Sequence, residues 1–292
     1  MIKPNVQNLD WLLGQGKVRV EQLGGGLHTL NFAVQNGRDF FIWQLFTGRI
    51  KTERLQLWEQ WARYLSDCGI TTRRLIACHS FGPEPSRFSG SLIYRGVRGQ
   101  SIPWSDYTLG RICRATCYLE KIHRAGQNFP GKSRLARIAL PSEVQISSSG
   151  DETLSGYRIN YKALLQIWRR LSRACLNGPE TVLHGDFGRG NIIFDDDKIA
   201  GVIDWESMAW GNPLFDLGRF GGYLLLDTAL PASVVWATLV ENYRLNILST
   251  ADLEAATAWC WWQDWLAWRR TSSPLAEKIR NRLREHNLIE KL

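Results

Sequence analysis

The segment from Leu183 to Asp216 constrains the fold and the chemistry of this chain more than any other part of the sequence. It contains the run His-Gly-Asp-Phe-Gly-Arg-Gly-Asn, followed by Ile-Asp-Trp-Glu. Asp186 and Asn191 are five positions apart, and Asp204 follows at the end of an apolar run. One carboxylate can face an acceptor hydroxyl, while an Asn and a second Asp hold Mg²⁺ against nucleotide phosphates. The motif therefore predicts phosphoryl transfer.

An Asp-rich turn between two apolar runs explains how these groups can converge. Residues 192–194 and 199–203 read as strands and residues 195–198 as the turn between them, because Asp-rich clusters favour turns. A hairpin of that length returns Asn191 and Asp204 to the same end, close enough to share a metal ion. Mg²⁺ takes oxygen ligands and keeps several waters, so one carboxylate, one amide and the phosphates suffice.

These residues resemble the aminoglycoside phosphotransferase and choline kinase family, whose signature is close to His-Gly-Asp-x-x-x-x-Asn followed by Ile-Asp-Trp-Glu. The resemblance implies that Asp186 is the catalytic base or hydroxyl-orienting residue and that Asn191 and Asp204 are the magnesium ligands. It implies a mainly structural role for Asp216. The C-terminal third is similar to bacterial choline and thiamine kinases, which also carry a Trp-rich helix after this block.

The fold that the resemblance implies is the two-lobed, protein-kinase-like α+β fold. It has a small β-rich N-terminal lobe and a larger, mostly helical C-terminal lobe, with ATP in the cleft. We place the lobe boundary near Gly99, so residues 1–98 are expected to form the nucleotide-binding lobe and residues 99–292 the catalytic and acceptor-binding lobe.

Three consecutive glycines stand between two strand-like runs of the N-terminal lobe. Residues 18–23 alternate like a strand, Gly24, Gly25 and Gly26 follow, and a β-prone run resumes at Leu30. Glycine permits unusual dihedrals and close approach, so this loop can lie over nucleotide phosphates. A plain hairpin turn fits the same residues. No Gly-Lys-Ser/Thr follows, so the loop is not a Walker A motif.

The third strand, residues 40–45, departs from the family pattern. Relatives place a Lys or Arg near Trp43 or Gln44 to contact the α- and β-phosphates, and this chain has none there. Gln44 is expected to bind phosphate through its neutral amide, with Arg49 or Lys51 as alternatives from the following loop. The missing cation keeps open a catalytically silent, kinase-fold nucleotide-binding protein.

The helix and strand that follow supply further candidates for the nucleotide site. A helix predicted over residues 52–68 brings Glu59 into place as the partner of a third-strand cation, with Glu53 as an alternative. The strand-like run ending at Tyr94 leads to Gly96. In family terms this is the hinge whose backbone binds adenine, although an ordinary strand ending in a Gly loop fits equally well.

Composition argues against several other classes of protein. The net charge of +8 is spread along the chain without a nucleic-acid motif, so a polyanionic substrate such as ATP is favoured over RNA or DNA. The apolar segment 221–240 is interrupted by Asp227 and Pro231, which predicts buried helices separated by a turn instead of a membrane span. The N-terminal residues lack the apolar core of a signal peptide, and the six cysteines are scattered, so a cytoplasmic location is expected.

A tryptophan-rich helix near the C-terminus carries the information on the acceptor. Trp261 and Trp265 share one helical face, and core packing is the usual fate of such side chains. Together with Asp264 or Glu241 they could instead recognise a cationic acceptor, as aromatic faces do for quaternary ammonium groups. Glu206, in the Ile-Asp-Trp-Glu run, is a further candidate on the acceptor side.

These observations together predict an ATP- and Mg²⁺-dependent small-molecule kinase. Its expected acceptor is a hydroxyl on a cationic molecule such as choline, thiamine or a related amino alcohol. An aminoglycoside phosphotransferase is an alternative, although polycationic acceptors need several carboxylates and the C-terminal helices supply only a modest set.

Overall fold

The fold is described from a computed structural model. It covers residues 18–23, 29–48, 50–80, 88–138, 140, 153–154, 156–176, 178–188, 190–245, 249–268 and 273–291. Contacts between Cα atoms divide the chain into two units, Met1–Arg98 and Gly99–Leu292. The predicted glycine loop, Gly24 to Gly26, and the alternative phosphate contact Arg49 lie outside the described residues.

The first unit is built on a five-stranded antiparallel sheet with strand order β1-β2-β3-β5-β4. Its elements in chain order are β1 (Val18–Gln22), β2 (Thr29–Asn36), β3 (Asp39–Phe46), α1 (Thr52–Asp67), β4 (Arg74–Ser80) and β5 (Gly90–Arg95).

Side chains of β3 alternate between two apolar clusters, because successive residues of a strand point to opposite faces. Trp43 belongs to a cluster with Phe32 and Ile93 on one face. Ile42 and Phe46 belong to the cluster on the other face, which includes residues of α1. Gln44 stands between Ile42 and Phe46 in the alternation, so it lies on the α1 face of the sheet.

The second unit is mainly helical. Its helices are α2 (Leu109–Gly126), α3 (Tyr161–Leu176), α4 (Leu214–Asp227), α5 (Ala232–Asn242), α6 (Thr250–Trp268) and α7 (Pro274–Glu285). Its short strands are β6 (Thr153–Leu154), β7 (Tyr157–Ile159), β8 (Thr181–Leu183), β9 (Ile192–Asp195), β10 (Lys198–Val202), β11 (Ala209–Gly211) and β12 (Ile289–Lys291). They pair antiparallel as β8 with β11, β9 with β10, and β7 with both β6 and β12.

Local signals set the limits of several helices. The Thr108 hydroxyl accepts a hydrogen bond from the Arg111 backbone N–H, and this N-cap sets the start of α2 at Leu109. Pro231 precedes α5, and its fixed φ suits the start of a helix. The prediction of two buried helices separated by a turn in this segment is confirmed.

Within the described part of the chain, every helix is too short or too polar to cross a bilayer. In the C-terminal unit, the two residues Thr153–Leu154 pair with β7. Two-residue pairings of this kind leave almost no periodic signal in a sequence.

Candidate active site

Asp186 and Asn191 meet at the end of a loop that leaves β8 and enters β9. The Asn191 side-chain amide donates to the backbone oxygen of Asp186 at 2.9 Å and to its carboxylate at 3.1 Å. Asp186 is exposed, whereas the strands on either side of the loop are buried. A rigid frame therefore presents one solvent-facing carboxylate whose orientation is set by a neighbouring amide.

A buried carboxylate, Asp216 near the start of α4, anchors the beginning of this loop. It is 1% exposed and accepts backbone hydrogen bonds from His184 at 2.6 Å and from Gly185 at 2.9 Å. The His123 ring nitrogen Nε2 lies 3.0 Å from the same carboxylate. Burial raises the pKa of Asp216, but the hydrogen bonds from His123 and His184 outweigh that effect and hold the pKa below its ordinary value. The resemblance implied this structural role for Asp216, and the contacts agree with it.

The His184 ring connects the loop between β8 and β9 to the segment that carries Asp204. Its Nε2 lies 2.9 Å from the Ile203 carbonyl oxygen, and its Nδ1 accepts the backbone N–H of Asp186 at 3.2 Å. A nitrogen that accepts a hydrogen bond carries no proton, so this geometry requires the neutral ring with the proton on Nε2. Burial lowers the pKa of His184, in agreement with that protonation state.

This arrangement predicts a pH dependence of stability. The folded protein keeps His184 neutral while the unfolded chain protonates it, so the free energy of unfolding is greatest above the ordinary pKa of 6.5 and falls as the pH drops below it. The slope for one proton is at most about 1.4 kcal/mol per pH unit. Urea unfolding at about pH 7.5 and about pH 5.5 measures it. His184→Gln should flatten the dependence. Equal slopes in the two proteins would contradict the assignment.

Gly185 has to be glycine for two independent reasons. Its φ is +78°, in the left-handed region. A Cβ at this position would lie 2.1 Å from the backbone oxygen of Ser207. The loop between β8 and β9 therefore lies in direct contact with the turn that follows Asp204.

The predicted hairpin is present and brings the two proposed metal ligands to one end. β9 and β10 pair antiparallel, with Lys198 opposite Asp195. At the other end, the Ile203 backbone N–H donates to the Asn191 backbone oxygen at 2.9 Å. Asp204 follows with φ +68° and ψ +68°, a left-handed conformation that costs a non-glycine residue about 1–3 kcal/mol. Such backbone outliers are concentrated at functional sites.

The donor set around Asn191 and Asp204 suits Mg²⁺. Because the Asn191 Nδ2 donates to Asp186, its Oδ1 is the amide atom left for a cation. Among the described residues there is no group of three His, Cys, Asp or Glu side chains that could hold a metal ion alone. Mg²⁺ is usually held by one or two carboxylates with waters and phosphates, so a sparse site of this kind fits it.

A cavity of about 600 Å³ opens beside Asp186 within the second unit. Its wall includes side chains from three other places in the sequence, which are Trp104, Tyr223, Asp227 and Lys278. Asp227 and Lys278 form an ion pair. Periodicity marked none of these four as site residues, because they are far from the motif in sequence and only the fold brings them to it.

Asp264 reaches the cavity only indirectly. Its carboxylate accepts from Arg219 at 3.0 and 3.2 Å and from the Tyr223 hydroxyl at 3.0 Å. Burial raises the pKa of Asp264 against the opposing effect of the Arg219 charge. The prediction that Asp264 contacts a cationic acceptor directly is corrected here, because Arg219 already pairs with it and Tyr223 stands in the cavity wall.

The structure also corrects the prediction for Trp261 and Trp265. They are 3% and 2% exposed, and the Trp265 ring packs against Tyr157 and Trp262. Helix α6 is apolar around most of its circumference, so its tryptophans fill the core of the unit. Neither ring lines the cavity beside Asp186, and protein atoms cover their faces.

The two acidic acceptor candidates occupy different surroundings. Glu241 is exposed on α5. Glu206 is half-buried in the short turn Trp205–Ser207. Neither side chain is among the described residues that line the cavity.

Gln44 is the notable polar residue of the first unit. It is 4% exposed, and its Oε1 has no hydrogen-bond donor among the residues that the structure describes. In the sheet it lies opposite Asn31 on β2 and Leu92 on β5. An unpaired polar group at this depth costs about 1–3 kcal/mol. A buried amide retained at such a cost is a candidate for ligand binding.

Glu59 does not face β3, which corrects its predicted role as partner of a third-strand group. Its carboxylate accepts from the Leu75 backbone N–H at 3.1 Å and from Arg63 at 2.8 Å, and it lies 3.5 Å from Arg74. The carboxylate therefore links α1 to β4 through these contacts. Without a cation on β3, the arginines of α1 and β4 neutralise it instead.

Tyr94 and Gly96, the predicted hinge residues, are fixed by packing. Tyr94 is 5% exposed, and the Arg73 guanidinium lies 4.3 Å from the centre of its ring. The Gly96 backbone N–H donates to the Phe40 carbonyl at 2.9 Å, and a Cβ there would lie 2.4 Å from the Phe40 ring. Both contacts are local to the first unit, and adenine binding at this segment stays a prediction.

The geometry of the loop, hairpin and cavity defines a site of the kinase type. Residues 19–243 match the family described as APH, the phosphotransferase enzyme family. The chain therefore belongs to the phosphotransferase enzyme family, and the predicted family and enzyme class are confirmed.

One curated relative matches a long part of the chain. Homoserine kinase from Bradyrhizobium sp. (strain BTAi1 / ATCC BAA-1182) is 24% identical over 192 residues, which are 62% of this chain and 55% of that kinase. The chain thus spans about half the length of this relative.

Solved structures show the same fold. The microcompartment-associated aminopropanol kinase has a TM-score of 0.66 at 15% identity, covering 98% of this chain and 94% of that one. Amicoumacin kinase hAmiN, in complex with AMP-PNP, Ca²⁺ and Ami, has a TM-score of 0.63 at 14% identity, covering 97% and 92%. At these identities the likeness speaks for the fold. With an antiparallel N-terminal sheet and a helical C-terminal part, the predicted protein-kinase-like fold class is confirmed.

Proposed function

We propose that this protein is an ATP- and Mg²⁺-dependent kinase that transfers the γ-phosphate to a hydroxyl of a small acceptor with a cationic nitrogen. The observation that carries the proposal is the exposed carboxylate of Asp186, held by the Asn191 amide on the wall of a 600 Å³ cavity. A cavity of that size suits a small acceptor. The nucleotide analogue bound to amicoumacin kinase and the amine in the name of aminopropanol kinase support the nucleotide and the acceptor class.

In the proposed reaction Asp186 accepts the proton of the acceptor hydroxyl. A bond forms between that oxygen and the γ-phosphorus, the bond from the γ-phosphorus to its bridging oxygen breaks, and ADP leaves. Asn191 keeps the Asp186 carboxylate oriented toward the hydroxyl. Mg²⁺, when bound by Asn191 Oδ1 and Asp204, would neutralise charge on the phosphates.

An acceptor panel with MgATP tests the proposal. The panel contains choline, ethanolamine, thiamine, homoserine and an aminoglycoside, and ATP consumption is measured with each. We expect acceptor-dependent turnover with at least one small cationic alcohol. Turnover with the aminoglycoside alone would favour the resistance kinase. Nucleotide binding in a thermal-shift assay with no turnover on any acceptor would favour the silent binding protein.

Gln44 allows a separate test of the nucleotide site. Replacing it with Met keeps the length of the side chain but removes the unpaired oxygen, so the nucleotide-free protein should gain about 1 kcal/mol in its free energy of unfolding. If the Gln44 amide contacts phosphate, the same change should weaken MgATP binding by about tenfold, which is about 1.4 kcal/mol. Calorimetric titration and urea unfolding measure the two effects.

The matched control for this test is Gln44→Lys, which restores the cation of the family pattern. We expect it to destabilise the nucleotide-free protein, since Glu59 is already paired with arginines and the new ammonium would be buried without a partner. Added MgATP should then raise the melting temperature more than it does for the unsubstituted protein. Unchanged MgATP affinity in both variants would exclude Gln44 from the phosphate site.

A further inference from the structure

The cavity beside Asp186 has two charges of opposite sign in its wall. Asp227 is the last residue of α4 and Lys278 lies in the first half of α7, and the two side chains form an ion pair. The side chains are 28% and 47% exposed, so both heads remain within reach of solvent. Both residues line the same cavity as Asp186.

The helix that carries Asp227 explains why this carboxylate needs a cation. The C-terminus of a helix carries partial negative charge, so a carboxylate at the last residue is unfavourable unless a positive group is near it. Lys278 supplies that group in the structure. The ammonium group of a ligand could replace Lys278 as the cation beside Asp227. Lys278 would then have an unpaired positive charge facing the cavity.

Apart from the proposed base Asp186, one further acidic group lies near this cavity, and it is already neutralised. Asp264 pairs with Arg219 behind Tyr223, so it adds no free negative charge for a cationic ligand. A molecule with only a positive charge would have to compete with Lys278 for Asp227. A molecule that has both an ammonium and a carboxylate would give each member of the pair a partner of opposite sign. A partly exposed ion pair contributes little to stability, so this exchange of partners costs little.

We propose that the Asp227–Lys278 pair selects a hydroxy amino acid as acceptor, with the ligand ammonium at Asp227 and the ligand carboxylate at Lys278. This inference rests on the proposed function, which it narrows from cationic alcohols to zwitterionic ones. The acceptor hydroxyl would then be directed to Asp186, which lines the same cavity. Tyr223 and Trp104 are the aromatic side chains in the wall of this cavity.

Matched acceptors that differ by one carboxylate test the inference. L-homoserine and 3-amino-1-propanol form one pair, and L-serine and ethanolamine form the other. We expect kcat/KM to be at least about tenfold higher for the better of the two amino acids than for its amino alcohol, a difference of about 1.4 kcal/mol in transition-state binding. Calorimetric titration of the same compounds into the nucleotide-free protein gives a readout that does not depend on turnover.

Substitutions of the pair assign the two contacts. Lys278→Met should lower kcat/KM for the amino acid by about tenfold and leave the amino alcohol unchanged or improved. Asp227→Asn should weaken both acceptors, because both carry the ammonium. Lys162→Met removes an exposed lysine from α3 and is the matched control, with no change expected.

Each outcome decides the inference. Amino alcohols used as well as their amino acids, or an equal effect of Lys278→Met on both, would overturn it. If Lys278→Met raised the KM for ATP and left the KM for the acceptor unchanged, Lys278 would be assigned to phosphate binding. That result would also overturn the inference. If no acceptor is turned over, the proposed function fails. The calorimetric titration then decides the inference alone. An absence of amino acid binding in that titration would overturn it.

Discussion

Replacement of Asp186 by Asn should lower kcat by about two to four orders of magnitude, the usual contribution of a positioned general base. The amide keeps the shape of the carboxylate, and its oxygen can still accept the hydrogen bond from Asn191 Nδ2. It loses the negative charge and the ability to take the hydroxyl proton. Folding and nucleotide binding should be retained, because Asp186 is exposed and supports no buried contact through its side chain.

The measurement is kcat with the best acceptor of the panel, together with a MgATP titration and a melting curve. Asp195→Asn is the matched control, since Asp195 is an exposed carboxylate at the opposite end of the β9–β10 hairpin. It should leave all three quantities unchanged. Full activity in the Asp186→Asn protein would show that the hydroxyl needs no base at this position, and the assignment of the site would fail.

The largest loss of stability should come from Asp216. Removing its carboxylate leaves the backbone N–H groups of His184 and Gly185 and the Nε2 atom of His123 without their buried partner. Loss of one member of a buried charged network costs about 3–5 kcal/mol, a large part of the stability of an ordinary domain. Asp216→Ala should therefore unfold at much lower urea concentration or fail to accumulate in folded form.

Asp216→Asn keeps this prediction measurable if the alanine variant does not fold. One amide oxygen can accept a backbone hydrogen bond, but the amide nitrogen turns a donor toward another donor, so a smaller loss is expected. Because the folded pKa of Asp216 is lowered, its carboxylate stabilises the protein above the ordinary pKa of 3.8, and this contribution is lost as the pH falls through the folded pKa. Urea midpoints of Asn and Ala variants equal to that of the Asp195→Asn control would contradict the anchoring role.

Short-range patterns predicted the parts of the site that lie close together in the chain. The hairpin between Asn191 and Asp204 follows from two apolar runs around an Asp-rich turn, and the structure has it at those residues. The helix predicted over residues 52–68 is likewise present, as Thr52–Asp67. Such features depend on neighbouring residues, so a single sequence contains enough information to locate them.

The cavity wall could not be predicted in this way. Trp104, Tyr223 and Lys278 come from separate elements, and only their packing places them together. The same limit explains the error at Asp264. Its sequence neighbours are tryptophans, which suggested an aromatic cation site, but its partner Arg219 is forty-five residues away and two helices earlier in the chain. Burial then decides the role of Trp261, because a covered aromatic face cannot meet a ligand.

The contact between Gly185 and the Ser207 carbonyl has a consequence for any mutational study of this protein. It joins the loop that carries the proposed base to the turn beside the proposed metal ligand, and the His184 ring joins them further. Bulk or backbone change on the turn would tilt Asp186 as well as Asp204. Loss of activity after a change at Ser207 would therefore report a displaced base as readily as a lost cation, and metal titrations alone would misattribute it.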